Sequence, residues 1–185
     1  MADDVTRKNR DEAPLEEKLD DLHALIDGIE VAMMTTRRPD GHLVSRAMQT
    51  QERRAHADLW FVTDGESHKL DELAHDPHVN LAYYKSRTRE WVSVSGTAIL
   101  SRDRDLVRGL YKPDWKAWFP EQGGERTGGP DDPRITLILV QAHSVVYSKK
   151  DRPGVLAAFE IARAMVTGSA PKVADVRTVR EDELR

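Results

Sequence analysis

Residues 31–50 read Val31-Ala32-Met33-Met34-Thr35-Thr36-Arg37-Arg38-Pro39-Asp40-Gly41-His42-Leu43-Val44-Ser45-Arg46-Ala47-Met48-Gln49-Thr50, and this stretch decides the fold. Two runs rich in apolar and β-branched residues flank Arg38-Pro39-Asp40-Gly41, where proline, aspartate and glycine occupy the places a tight turn wants them. The pattern predicts a β-hairpin that pairs residues 31–36 with 43–50.

Upstream, Leu15, Leu19, Leu22, Ile26 and Ile29 recur at spacings of three and four after Pro14. That is one face of a helix over 14–27, closed by Gly28. Downstream, Leu59-Trp60-Phe61-Val62-Thr63 has strand composition and ends at Asp64-Gly65. A short helix is expected over 67–74, with Leu70 and Leu73 inward, stopping before Asp76-Pro77. Strands are expected over 79–84 and 90–100; in the second, Val92 and Val94 alternate with Trp91, Ser93 and Ser95, so one face is polar. A helix over 103–111 leads to Trp115, Trp118 and Phe119. Residues 122–133 hold four glycines and two prolines, a loop with little intrinsic order, best taken as a tolerated insertion or else as a mobile lid. Strands follow over 134–143 and 144–147. A helix over 153–167, with Val155, Leu156, Phe159, Ala162 and Val166 on one stripe, is stopped by Gly168. The expected organisation is a disordered segment over 1–13, one domain over 14–168 and a floppy polar tail over 169–185. Six or seven strands with few crossover helices favour a mainly β, α+β fold built as an antiparallel barrel, not a parallel sheet.

Composition narrows the chemistry. The chain has 185 residues, 39% hydrophobic and 32% charged, and its longest apolar run, residues 135–140, falls far short of a membrane span. The first thirty residues carry charge throughout without an apolar leader segment, so a cytoplasmic protein is expected. Interspersed charges, 28 Lys plus Arg against 32 Asp plus Glu, argue against nucleic acid as the main partner. The absence of cysteine excludes disulfides, thiolate catalysis and iron–sulfur clusters. Glycine-rich dinucleotide and Walker-type phosphate cradles are missing, as is the serine nucleophile elbow. His75 and His78 flank Asp76-Pro77, whose proline breaks the helix that would aim both imidazoles at one metal ion.

One cluster carries chemistry. Arg46 sits in a strand with core-facing neighbours, so its guanidinium must meet a partner or a ligand. Ser67, His68 and Lys69 open a helix, where free N–H groups and the dipole attract an anion. Arg46 and Lys69 together match a phosphate dianion, with Ser67 as a neutral donor; the plain alternative is two surface cations beside a helix cap. Met33, Met34 and Met48 read as core filler, and the charges of Arg102, Asp103, Arg104 and Asp105 as a solvated helix start.

The hairpin Met33-Met34-Thr35-Thr36…Ser45-Arg46-Ala47-Met48, the strand 59–63 with Ser67-His68-Lys69, the strand Val92-Ser93-Val94-Ser95-Gly96-Thr97-Ala98, and Trp118-Phe119-Pro120…Asp131-Asp132-Pro133 resemble the general stress protein branch of the pyridoxamine 5′-phosphate oxidase-like, FMN-binding split barrels. The resemblance implies a six-stranded split β-barrel, homodimeric, with FMN at the subunit interface. By position, Arg46, Ala47, Met48, Gln49 and Gln51 would line the isoalloxazine, with Val62 and Thr63 beside it. Arg46, Ser67, His68 and Lys69 would hold the phosphate. Trp115, Trp118 and Phe119 would plug the barrel, or Trp118 would cover the partner's flavin. The chain departs from the family where His68 replaces a second arginine, Gln51 a lysine and Trp91 a glutamine, so phosphate affinity is expected to follow the titration of His68. No arginine-rich signature of true vitamin B6 oxidases occurs over 144–185. The implied function is a flavin-dependent oxidoreductase in a stress setting, serving a small-molecule electron donor or acceptor, with Gln49 or Gln51 near the flavin N1 and C2=O. The alternatives are an FMN sensor or carrier without turnover, or a barrel holding a deazaflavin or a haem served by His68 or His143.

Overall fold

The computed structural model describes residues 13–52, 58–150, 154–172 and 174–184. Of the segment expected to be disordered, residues 1–13, all but Ala13 lies outside them. Seven strands form the sheet: β1 (Val31–Arg37), β2 (Leu43–Gln49), β3 (Leu59–Asp64), β4 (His78–Lys85), β5 (Glu90–Ser101), β6 (Ile135–Lys149) and β7 (Asp175–Arg180). Their order is β2-β1-β4-β5-β6-β3, with β7 added on β6. The helices are α1 (Leu15–Ile29), α2 (Lys69–His75), α3 (Arg104–Leu110) and α4 (Gly154–Thr167). The chain is therefore α+β with an antiparallel sheet, as expected, and its seven strands fall within the six or seven read from the sequence, one more than the six that the resemblance implies. Among the described residues, no helix is long and apolar enough to cross a membrane.

The chain divides into two compact units. The first comprises residues 1–30, 81–94 and 143–185. In it α1 buries Leu22, Leu25 and Ile26. The helix ends on Glu30, whose φ of 66° takes the left-handed turn and whose N–H donates to Ile26 O at 2.8 Å; Gly28 lies inside the last turn instead of closing it. Residues 175–180, expected in a floppy tail, form β7, antiparallel to β6 with Val179 opposite Val145. The alternation Val176, Arg177, Thr178, Val179 was masked by the charges around it, one of which is itself buried. Arg177 is only 6% exposed because Asp21 and Glu17 of α1 accept from its guanidinium, while Tyr147 donates its hydroxyl to Lys18 O at 2.9 Å. Desolvation pushes the Tyr147 hydroxyl up to about 12, so this bond keeps its proton throughout the physiological range. In α4, Leu156 and Val166 are exposed, so the expected stripe is not buried at these positions.

The second unit comprises residues 31–80 and 95–142. The expected hairpin forms, with Met34 opposite Arg46, over a turn where Gly41 adopts a φ of 87°. Met34 and Met48 are buried core, whereas Met33 points to the outer face and is 44% exposed. β3 pairs with β6, Phe61 opposite Ile138, and is buried on both faces, which explains its unbroken apolar run. Trp60, Val107, Leu110, Trp115, Phe119, Ile135 and Leu137 make one cluster. Residues 134–147 were read as two strands; 135–147 fall within the single strand β6 and Arg134 precedes it.

If residues 175–180 are a paired strand, Val179→Asp places an unpaired carboxylate at a fully buried position. The expected cost of about 3 kcal/mol lowers the thermal midpoint by roughly 6 °C or more, read by differential scanning calorimetry. An unchanged midpoint would return this segment to a loose tail.

Candidate functional site

A cavity of about 410 Å³ opens in the second unit. β2 supplies Ala47, Met48 and Gln49, β3 supplies Val62, Thr63 and Asp64, and Lys69 comes from the start of α2. Asp114 and Trp115, from the 3₁₀ turn at Pro113–Ala117, complete the wall with Trp118 and Phe119. β2 and β3 are the two ends of the strand path, so the cavity lies where the sheet stays open, joined by a backbone bond from Gln51 N–H to Trp60 O of 3.0 Å.

Lys69 marks the polar end. Its ammonium donates to Thr63 Oγ1 at 2.7 Å and to Ser67 Oγ at 2.6 Å, both neutral hydroxyls. Burial lowers its pKa, and repulsion from Arg46 lowers it further against the pull of Asp64 and Glu72. Arg46 and Lys69, 23 positions apart in sequence, thus come near enough for their charges to repel. Arg46 itself is engaged: it donates to Glu72 Oε2 at 2.6 Å and to Thr36 Oγ1 at 2.8 Å, while Thr36 donates to Glu72 at 2.5 Å. Burial raises the Glu72 pKa, but the bonds from Thr36 and Arg46 outweigh it and leave the carboxyl below its ordinary value. A guanidinium so neutralised fixes the start of α2 and presents little free charge to the cavity.

Of the residues expected at a cofactor, Ala47, Met48, Gln49, Gln51, Val62, Thr63, Lys69 and Trp118 line the cavity. Ser67 reaches it through Lys69. Arg46 stands behind the wall, bound to Glu72. His68 is fully exposed, 3.8 Å from Asp71, and is not part of the cavity wall. His143, in the first unit, lies 3.7 Å from Glu181. Asp64, Asp114 and Val31 line the cavity without having been singled out. Only the tertiary fold brings them to it.

The glycine-rich segment is tied to the wall through Gly128 and Asp132. Asp132 is fully buried and accepts four bonds: from Gly128 N–H at 2.8 Å, Arg134 N–H at 3.0 Å, Arg134 Nε at 3.0 Å and Arg134 Nη2 at 2.7 Å. Arg134 also donates to Pro120 O at 2.9 Å and lies 5.8 Å over the Phe119 ring. Gly128 takes a φ of 68°, and a Cβ there would stand 2.2 Å from Phe119 O. Only glycine fits. Arg104, expected in solvent, donates to Asp132 O at 2.8 Å and Ile135 O at 2.5 Å, and Asp103 caps α3 by accepting from Asp105 and Leu106 N–H. Trp115 and Phe119 are buried plugs, with Trp115 edge-on to Trp60 at 6.1 Å and to Tyr111 at 5.6 Å. Trp118, between them, is 78% exposed.

The model of proteins described as "pyridoxamine 5′-phosphate oxidase like" matches residues 17–172. The chain belongs to that family. It is 38% identical to Protein bli-3 of Neurospora crassa over 188 residues, covering all of this chain and 90% of that protein. Its fold is shared with a Clostridium acetobutylicum protein related to general stress protein 26, at TM-score 0.65 and 16% identity, over 92% of this chain and 99% of that one. A pyridoxamine 5′-phosphate oxidase-related, FMN-binding protein of Nostoc punctiforme superposes at TM-score 0.57 and 17% identity, over 74% of this chain and 84% of that one. In this family member the walls of the cavity come from the hairpin and the strand that sequence reading had joined.

Hydrogen bonds from Arg134 hold the Asp132 carboxyl at a pKa of about 2 against the opposing effect of burial. A carboxyl held below its unfolded value stabilises the fold fully above about pH 4 and loses that contribution as the pH falls towards 2. Asp132→Ala, which strands Arg134 among apolar groups, is expected to cost about 3–5 kcal/mol and to erase that acid dependence in urea unfolding curves. Parental stability in the variant would show that the pair does not hold this wall.

Proposed function

We propose that the protein binds FMN in the open seam between β2 and β3 and acts as a flavin-dependent oxidoreductase. The observation that carries this reading is Lys69, a half-buried ammonium whose near partners are two neutral hydroxyls, in a cavity whose wall also carries Met48, Val62, Trp115 and Phe119. An anion there relieves the desolvation of the ammonium, and Thr63 and Ser67 can turn their hydroxyl protons towards its oxygens. Met48, Val62, Trp115 and Phe119 suit a flat ring and exclude water from it. The residues fit the cofactor.

FMN, when bound, supplies two-electron chemistry through hydride transfer. The chain supplies position. Lys69 and Ser67 donate to the phosphate; Arg46, braced by Glu72 and Thr36, holds their helix in place. Gln51 is already committed, its Oε1 accepting from Trp115 Nε1 at 3.2 Å and its Nε2 donating to Gln49 O at 3.4 Å. Gln49 is therefore the amide able to turn to the ring edge. The exposed apolar side chains Val31, Met33 and Leu43 on the hairpin support a second copy of the chain at this face. A stress-related role is supported by the name of the Clostridium relative.

FMN is expected to bind tighter than riboflavin, which lacks the phosphate. Lys69→Met should remove most of that preference, a loss of about 2 kcal/mol for FMN with riboflavin unchanged. Because bound phosphate raises the Lys69 pKa, FMN affinity relative to riboflavin falls as pH rises through the titration of Lys69 in the free protein. Arg46→Ala costs more, since it leaves the largely buried Glu72 carboxylate with the Thr36 hydroxyl but without its countercharge, and lowers stability by about 3 kcal/mol besides. Equal affinity of the parent for FMN and riboflavin at neutral pH would defeat the assignment, and a loaded protein that sediments as a single chain would defeat the dimer.

A further inference from the structure

We propose that Trp118 and Asp114 form a second subsite at the mouth of this cavity, one that takes a flat aromatic molecule carrying no negative charge. It rests on the reading of the inner end as the FMN site and identifies the class of molecule that meets the flavin there.

Of the three aromatic residues on this wall, Trp115 and Phe119 are 3% and 2% exposed and already close the apolar end. Trp118 lines the same cavity yet is 78% exposed, so core packing does not account for it. Nor is it loose. Its N–H donates to Trp115 O at 2.8 Å, and the next residue donates to the same carbonyl at 3.2 Å. Phe119 is fixed in turn by Arg134 above its ring and by Gly128 against its carbonyl. A rigid frame therefore presents an indole to solvent at a cavity mouth, the arrangement that stacking recognition requires.

Charge selects what stacks there. The segment carries three charged side chains: Lys112, Asp114 and Lys116. Lys112 pairs with Glu52 at 3.0 Å, and the Lys116 stem packs beside Gly128. Asp114 is the member that lines the cavity. With Lys69 committed to the phosphate, the wall still offers the Trp118 indole and the carboxylates of Asp114 and Asp64. These favour a cationic or neutral ring and disfavour a nucleotide or a phosphorylated one.

Equilibrium dialysis of FMN-saturated protein against two probes of one shape tests this: the 1-methylnicotinamide cation and the nicotinate anion. The cation is expected to bind at least tenfold tighter at low ionic strength. Asp114→Asn should remove most of the difference and Asp114→Lys should reverse it. Trp118→Ala should lose both probes, and Trp118→Phe should recover the cation. Flavin occupancy is read from the visible absorbance of the same samples. A parent that never takes up FMN overturns the reading of the inner site and this subsite with it. Full occupancy with no preference between the probes, or with a preference that Asp114→Lys leaves in place, overturns the subsite alone.

Discussion

The buried pair Asp132–Arg134 holds both sides of the cavity to one point. Its side-chain bonds reach Gly128, Pro120 and the face of Phe119, which set the aromatic wall. The Arg134 carbonyl accepts from Gly65 N–H at 2.6 Å, which sets the turn leading into Ser67 and Lys69. A Cβ at Gly65 would stand 2.8 Å from Thr136 Oγ1, so the turn is seated too closely for any other residue. Across the same gap Arg126 pairs with Glu66. Breaking one buried partner would leave the other uncompensated, which makes this pair a strict requirement for the geometry whatever its net worth to stability.

Within that frame the two cations divide the work unequally. Arg46 spends its charge on Glu72 and Thr36, cross-linking β1, β2 and α2. Lys69 faces hydroxyls, pays desolvation without a carboxylate in contact, and is left as the cation to which an anion contributes most. The two differ in environment, although the sequence offers them as equals.

How much of this was legible follows the range of the interactions. The hairpin could be read because its signals, a Pro-Asp-Gly turn between alternating strands, are local. The strand 59–63 could be read because burial on both faces leaves an unbroken apolar run. β7 escaped because Arg177, a charge on its inward face, looks like tail composition until Asp21 and Glu17 of a helix more than 150 residues earlier are brought beside it. Glu72, as the partner of Arg46, and the role of Asp132 in a segment read as disordered by its glycines, were likewise set by tertiary contact alone. Arg46 was singled out for the right reason, an inward-facing cation needing a partner, but that partner is a carboxylate of the protein. The family resemblance supplied the gathering of Lys69, Thr63 and Met48 around one cavity. It did not supply the contrast between buried Trp115 and Phe119 and exposed Trp118.

The central claim is that Lys69 is the grip on an anionic cofactor tail, and its own titration tests this most directly. Protein labelled with ¹³C at lysine Cε, with the Lys69 resonance assigned by Lys69→Met, can be followed by NMR across alkaline pH without ligand, with riboflavin and with FMN. The account predicts a pKa below the ordinary lysine value in the free protein, little change with riboflavin and a clear rise with FMN. A Lys69 that titrates identically in all three would contradict it.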